Sequence, residues 1–194
     1  MSEPVASAVL DIGAGTTQAA VISLGGIVSS KVSIIAGDDM DLAIVEEIKK
    51  NHNLLIGERT AEDIKIYLGL AEGTDDNEYM VVKGRDLVTG MPSAVKVGSD
   101  EICEALRPIV HHIGEKLKQM LEETPPELTV DIIEKGIALT GGIAQLKNLD
   151  TYLSRITGVN CYVSGNPQLC VVNGMNKMFC NLKLMKAIMN NSDK

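Results

Sequence analysis

The spacing of apolar residues changes rhythm several times along this chain, and each change marks an element. Residues 6–10 and 19–24 are short apolar runs joined by Asp11-Ile12-Gly13-Ala14-Gly15-Thr16-Thr17. Gly25-Gly26 then makes a tight turn, and 27–35 alternates as a third strand. The chain therefore opens on a three-strand meander whose first turn is rich in glycine. Met40, Ile44, Val45 and Ile48 recur at helical spacing and predict a helix over 39–52. After a linker at 53–57, Thr60 reads as an N-cap, with Glu62 and Asp63 in the first turn of a helix that stops at Gly69. The polar stretch 73–77 reads as an exposed loop, and 78–83, 85–89 and 93–97 as three short strands.

The second half alternates helices with strands. Ser99 caps a long helix that ends before Pro125-Pro126, with Ile102, Leu106, Ile109, Val110, Ile113 and Leu117 as its apolar stripe. A short helix over 126–134, a buried strand over 136–140, a helix over 145–156 and a strand over 160–163 follow. The last segment opens at Pro167 and is helical from about Val171, where Met175, Met178, Phe179, Leu182, Met185 and Met189 share one face. Such a face ordinarily packs in a core, and a methionine-rich one also suits a partner. A meander followed by alternating helices and strands predicts an α/β fold, a mixed sheet with flanking helices.

Hydrophobic residues make up 45% of the chain, with one Phe and no Trp, so the core must be aliphatic. The net charge of −8 gives no counterion-release gain on DNA or RNA, which argues against nucleic acid as a partner. No basic run marks a membrane surface patch, and no stretch is apolar for long enough to span a bilayer. The first residues carry no secretory signal, so the expected address is cytoplasmic. Cys103, Cys161, Cys170 and Cys180 form no CxxC pair and read as reduced thiols packed like small hydrophobes. His52, His111 and His112 lack the spacing of a metal site.

Three segments carry candidate chemistry. In the first turn, glycines let the backbone approach a ligand, consecutive N–H groups suit phosphate, and Thr16 and Thr17 add hydroxyls. Asp11 at the strand end suits a hydrated Mg²⁺. The same pattern also fits an ordinary hairpin with a solvated Asp. Residues 138–142, Ala-Leu-Thr-Gly-Gly, run a strand into a glycine pair on which a flat ligand can lie, though many βα turns need such a pair. Glu62 and Lys65 share a helix face, either as a ligand contact or as a solvated ion pair.

Taken in order, the hairpin, the Gly57-Glu58-Arg59-Thr60-Ala61-Glu62 helix start and the strand with Gly141-Gly142 resemble the second half of actin-like ATPases. Ala36-Gly37-Asp38, the run 84–90 and Thr124-Pro125-Pro126-Glu127-Leu128 make the chain similar to the MreB family of bacterial actins. The resemblance extends from about Pro4 to Lys177. It implies a ribonuclease-H-like, actin-like ATPase domain with a large lobe at 1–35 and 98–194 and a small inserted α+β lobe at 36–97. It implies an ATP and Mg²⁺ cleft in a filament-forming protein that guides cell shape. Gly13, Ala14, Gly15, Thr16 and Thr17 would hold the β- and γ-phosphates, and Asp11 would stand near Mg²⁺. Glu58, Glu62 and Lys65 would flank ribose and adenine, and Gly141 and Gly142 would back the nucleotide.

The same resemblance leaves the family's first half outside this chain. With one wall of the cleft, the chain is expected not to hydrolyse ATP by itself or to polymerise in the family mode. Its expected partners are MreB-type subunits or a separate first half. Three residues depart from the family pattern. Ala14 replaces a glycine, while Ile143 and Val172 add bulk near the expected nucleotide. They motivate a second reading, a module that keeps the fold, binds no nucleotide and binds or caps MreB-type filaments.

Overall fold

The computed structural model describes residues 5–73 and 78–181. In chain order the elements are β1 (Ala6–Ile12), β2 (Thr17–Ser23), β3 (Gly26–Ser33), α1 (Gly37–His52), β4 (Leu54–Leu55), α2 (Glu58–Leu68), β5 (Tyr79–Asp86) and β6 (Pro92–Gly98). There follow α3 (Ser99–Glu122), α4 (Pro126–Lys135), β7 (Ile137–Thr140), α5 (Leu149–Thr157), β8 (Cys161–Val163) and α6 (Cys170–Phe179).

One sheet has the order β3-β2-β1-β7-β8 and another the order β4-β5-β6. β1 pairs antiparallel with β2, from Ala6 opposite Ser23 to Ile12 opposite Thr17. On its other side β1 runs parallel to β7, and β7 parallel to β8. The larger sheet is therefore mixed, as the order of elements predicts. Ala6, Ala8, Leu10 and Ile12 alternate onto its buried face, joined by Ala19 and Val21 from β2. α3 covers that face with Ile102, Leu106, Val110, Ile113, Leu117 and Met120, all essentially without solvent contact. α1 adds Met40, Ile44 and Ile48, and α2 adds Ala61, Ile64 and Leu68, in one continuous core. Burial of each large aliphatic side chain contributes about 1.5–3 kcal/mol, so this layer holds the molecule without aromatics.

Several boundaries differ from the expectation, each for a local reason. α1 begins two residues early because the Asp39 carboxylate accepts the Ala36 N–H at 2.9 Å and closes the entry. α2 begins at Glu58 with Gly57 as N-cap. The Ala61 N–H already bonds the Gly57 carbonyl at 3.1 Å, which leaves Thr60 inside the first turn. Likewise Gly98 takes the N-cap of α3, and Ser99, its first residue, accepts the Glu78 N–H on its hydroxyl. The two strands expected over 78–89 are one, β5. Gly84 lets it continue beneath β4, because a Cβ there would meet the Leu55 carbonyl at 2.4 Å. The helix expected over 145–156 is split into a 3-10 turn at Gly142–Gln145 and α5, with Asn148 left-handed at φ 61° between them.

α6 also departs from its expected role: none of its residues is buried, and Phe179 is 73% exposed. Leu182, Met185 and Met189 lie outside the described residues. Cys103 and Cys161 are buried, and burial pushes both thiols up, which keeps them unreactive. Cys170 is half-buried and Cys180 exposed, unlike the packed thiols expected. Among the described residues no helix is long and apolar enough to cross a membrane.

The β5–β6 turn depends on one carboxylate. Asp86 accepts the Val88 and Thr89 N–H groups and the Thr89 hydroxyl. These bonds hold its pKa below the ordinary 3.8, so the stabilisation is present above that value and is lost as pH falls through the lowered one. The Val88 and Thr89 amide resonances are expected to shift together on acidification, with a midpoint below pH 3.8. A midpoint at or above 3.8 contradicts this account.

Candidate functional site

The β1–β2 turn is closed by the Gly13 N–H on the Thr16 carbonyl at 2.9 Å. Two bonds from the start of α1 grip it from behind: the Gly37 N–H donates to the Gly13 carbonyl at 3.2 Å, and the Asp38 N–H to the Ala14 carbonyl at 2.8 Å. All peptides among the described residues are trans, so a carbonyl and the next residue's N–H point oppositely. With the carbonyls of Gly13 and Ala14 held by α1, the N–H groups of Ala14 and Gly15 face away from it. Ala14, Gly15 and Thr16 are exposed, and among the described residues no protein acceptor bonds their amides.

This cradle needs no left-handed residue. Gly13, Ala14 and Gly15 are absent from the positive-φ positions, so Ala14 sits there without the strain that an L-residue would otherwise suffer. The two threonines differ. Thr16 is exposed, whereas Thr17 is buried and its hydroxyl donates inward to the Ile35 carbonyl at 2.8 Å. Asp11 stands opposite Thr140 in the β1–β7 register and accepts its hydroxyl at 2.6 Å on Oδ1.

Gly141 closes the far side. Its φ is +84°, and its N–H donates to the Pro167 carbonyl at 2.9 Å. Behind it Gly142 and Ile143 reach a cleft of about 620 Å³, together with Gly13, Ala14, Asp38, Asp41, Glu58, Arg59, Glu62, Lys65, Ile66 and Gln168. A recess of about 330 Å³ shares Lys65, Ile66, Gly142, Ile143 and Gln168 and continues to Gly69 and Leu146. Of the predicted residues, Gly13, Ala14, Glu58, Glu62, Lys65 and Gly142 stand on the cleft wall, and Asp11, Gly15, Thr16, Thr17 and Gly141 do not. Ile143 keeps only 8% of its surface, and Val172 is exposed outside this wall.

The expected Glu62–Lys65 pair does not form. Lys65 is 8% exposed and donates to Asp41 Oδ2 at 2.7 Å and to the Gly37 carbonyl at 3.1 Å. Burial raises the Asp41 pKa above its ordinary value, the bond and charge of Lys65 oppose the rise, and Glu62 and Asp38 add to it. Asp41 Oδ1 is buried without a partner among the described residues. Asp38, Asp41 and Gln168 therefore line the candidate site, where sequence reading had not placed them. Only the acidic spacing of Asp38 and Asp41 at a helix start hinted at them.

A cleft of this size with partnerless amides at one end suits a phosphorylated small molecule. Its wall carries four carboxylates, Asp38, Asp41, Glu58 and Glu62, against two cations, Arg59 and Lys65, so a polyphosphate entering it needs a divalent counterion. Among the described residues no three His, Cys, Asp or Glu side chains group as metal ligands.

Comparison with known proteins gives the same outline. The family model described as MreB/Mbl protein matches residues 1–187. The cell shape-determining protein Mbl of Bacillus subtilis is 46% identical over 180 residues, 93% of this chain and 54% of that protein. Cell shape-determining protein MreB of Escherichia coli is 44% identical over 177 residues, 91% of this chain and 51% of that protein. The crystal structure of MreB5 of Spiroplasma citri bound to AMPPNP superposes with a TM-score of 0.88 at 35% identity, covering 96% of this chain and 56% of that one. The mixed sheet and its helices thus form the actin-like fold that the sequence led us to expect. The chain spans about half the length of the curated relatives it matches. On the family match over nearly its whole length and the identity to both relatives, this chain belongs to the MreB/Mbl family.

Proposed function

We propose that this chain supplies one wall of an ATP and Mg²⁺ cleft in an actin-like, cell-shape-determining cytoskeletal protein. The observation that carries the reading is the pair of partnerless amides at Ala14 and Gly15, turned away from α1, with Ala14 on the wall of a cleft of about 620 Å³. In this reading the turn from Gly13 to Thr17 takes the phosphates through its backbone, with the Thr17 side chain serving the fold. Asp11, oriented by Thr140, would hold Mg²⁺ through water, and the ion would supply charge neutralisation at the phosphates. Glu58, Glu62 and the Lys65 stem flank ribose and adenine, and Gly141 and Gly142 bring bare backbone behind them. The large lobe is 1–35 with 98 onward, the small lobe is 36–97, and the cleft opens between them. The expected partners are MreB-type subunits or a separate first half, in the cytoplasm.

Mg·ATP at 100 times its Kd is expected to stabilise the chain by about 2.7 kcal/mol, a Tm rise of about 5–10 °C. An unchanged Tm at saturating Mg·ATP overturns the reading and favours the nucleotide-free module. Ile143 counts against that module, because its side chain is tucked against Gly37 and leaves the cleft open. One wall alone excludes little water and presents no second set of donors to the transferring phosphoryl group. ATP hydrolysis by this chain alone is therefore expected to stay at background, and sustained turnover contradicts the one-wall reading.

A further inference from the structure

The charge along the cleft wall opposes the approach of a phosphorylated ligand. Of its two cations, Lys65 is already matched before any ligand arrives, because its ammonium donates to Asp41 Oδ2 at 2.7 Å. Asp38, Glu58 and Glu62 remain, all exposed, and among the described residues none of them joins an ion pair. Their field is felt within the wall, since Glu62 and Asp38 both help to raise the Asp41 pKa. The chain as a whole carries a net charge of −8. A polyphosphate diffusing toward this lip therefore meets charge of its own sign, which slows encounter.

Arg59 is placed to offset that repulsion. It sits in the first turn of α2, is exposed, and lines the cleft. Glu62 and Asp63 follow it at the spacings that ordinarily form ion pairs on a helix. Yet among the described residues its guanidinium makes no ion pair and no hydrogen bond. A guanidinium keeps its charge at any working pH, so Arg59 offers the approaching ligand a positive charge that no carboxylate has claimed. We propose that Arg59 is the capture residue of the cleft: it draws the phosphates past the acidic lip and raises the rate of association. This rests on the ATP reading above.

The test is stopped-flow mixing of the chain with fluorescently labelled Mg·ATP and, separately, with labelled adenosine, which carries no phosphate. Association and dissociation rates are read for Arg59→Gln, Arg59→Glu and Arg59→Lys. At an ionic strength of about 0.01 M, Arg59→Gln is expected to slow Mg·ATP association roughly threefold and Arg59→Glu roughly tenfold. Dissociation should stay within about twofold, because steering acts on the encounter. Arg59→Lys should keep the rate of the unaltered chain, since charge alone is needed. The differences should close at about 1 M salt, where screening is nearly complete. Adenosine association should be the same in every variant. Faster dissociation with unchanged association overturns the proposal, because Arg59 then acts in the bound complex and not on the approach. Equal slowing for adenosine also overturns it, by showing a change in the shape of the cleft. Arg59→Gln, the milder change, decides alone where Arg59→Glu does not fold. Failure of the unaltered chain to bind Mg·ATP is a distinct result that overturns the nucleotide reading and, with it, this role for Arg59.

Discussion

Replacing Gly141 by alanine is expected to lower the stability of the chain by about 3–4 kcal/mol, read as a shift of the urea unfolding midpoint. The glycine has φ +84°, where an L-residue costs about 1 kcal/mol. Strain is the smaller part. A Cβ at 141 would lie 2.2 Å from the Ile12 carbonyl oxygen, 2.5 Å from its carbon and 2.8 Å from its nitrogen. All three are backbone atoms at the end of β1, so no side-chain rotation relieves the contact. Either β1 or β7 must move, and the movement breaks the Gly141–Pro167 bond and disturbs the Asp11–Thr140 bond, each contributing about 1 kcal/mol. Gly158 is the control. It has a similar φ of +72°, but a Cβ there would meet nothing within 4 Å, so Gly158→Ala is expected to cost only the strain, about 1 kcal/mol. Equal losses in the two variants rule out the clash at Ile12 as the reason for the glycine.

The parts of the molecule that sequence made visible are those that depend on near neighbours. The meander was readable because alternation in β1 and β2 is interrupted by glycines at the one place where the chain reverses. The stripe of α3 was readable because six of its apolar residues repeat at helical spacing, and all but Ile109, half-buried, proved fully buried. The turn after β7 was readable for the same reason, as a glycine pair at a strand end. Local rules failed where two candidates competed. Thr60 is a better N-cap by type than Gly57, yet the chain leaves β4 extended and the helix closes on the first residue able to accept its N–H.

What sequence did not reveal depends on contacts between distant segments. Lys65 was paired with Glu62 because they are one helical turn apart, but its ammonium points to α1, where Asp41 and the Gly37 carbonyl lie. Thr17 looked like a ligand donor, and only the position of Ile35 across the sheet edge shows where its hydroxyl goes. The apolar face of α6 illustrates the same limit. Periodicity shows that a face exists, but which element covers it is a tertiary matter, and within the described residues it is uncovered.

The second large effect is expected at Gly37. On the nucleotide reading proposed above, Gly37→Val should weaken Mg·ATP binding by roughly 10- to 100-fold, because the variant displaces the turn whose amides would face the phosphates. A Cβ at 37 would lie 3.0 Å from Ile143 Cδ1, 3.1 Å from the Gly13 carbonyl and 3.2 Å from the Ala14 Cα. The first of these can rotate away, but the other two are the turn itself. Valine adds two methyls to that contact, so the turn must lift from α1, and its carbonyls lose the Gly37 and Asp38 N–H groups together. Overpacking of this kind costs about 1–3 kcal/mol of stability, which the other core contacts can absorb. Loss of one or two amides aimed at a charged phosphate costs about 1.5–3 kcal/mol of binding, enough for the stated range. Gly57 serves as the comparison at the opposite lip, next to Glu58, since a Cβ there meets nothing within 4 Å. Gly57→Ala is expected to leave Mg·ATP affinity unchanged. If a folded Gly37→Val protein binds Mg·ATP as tightly as Gly57→Ala does, the amides of Ala14 and Gly15 are not what holds the phosphates.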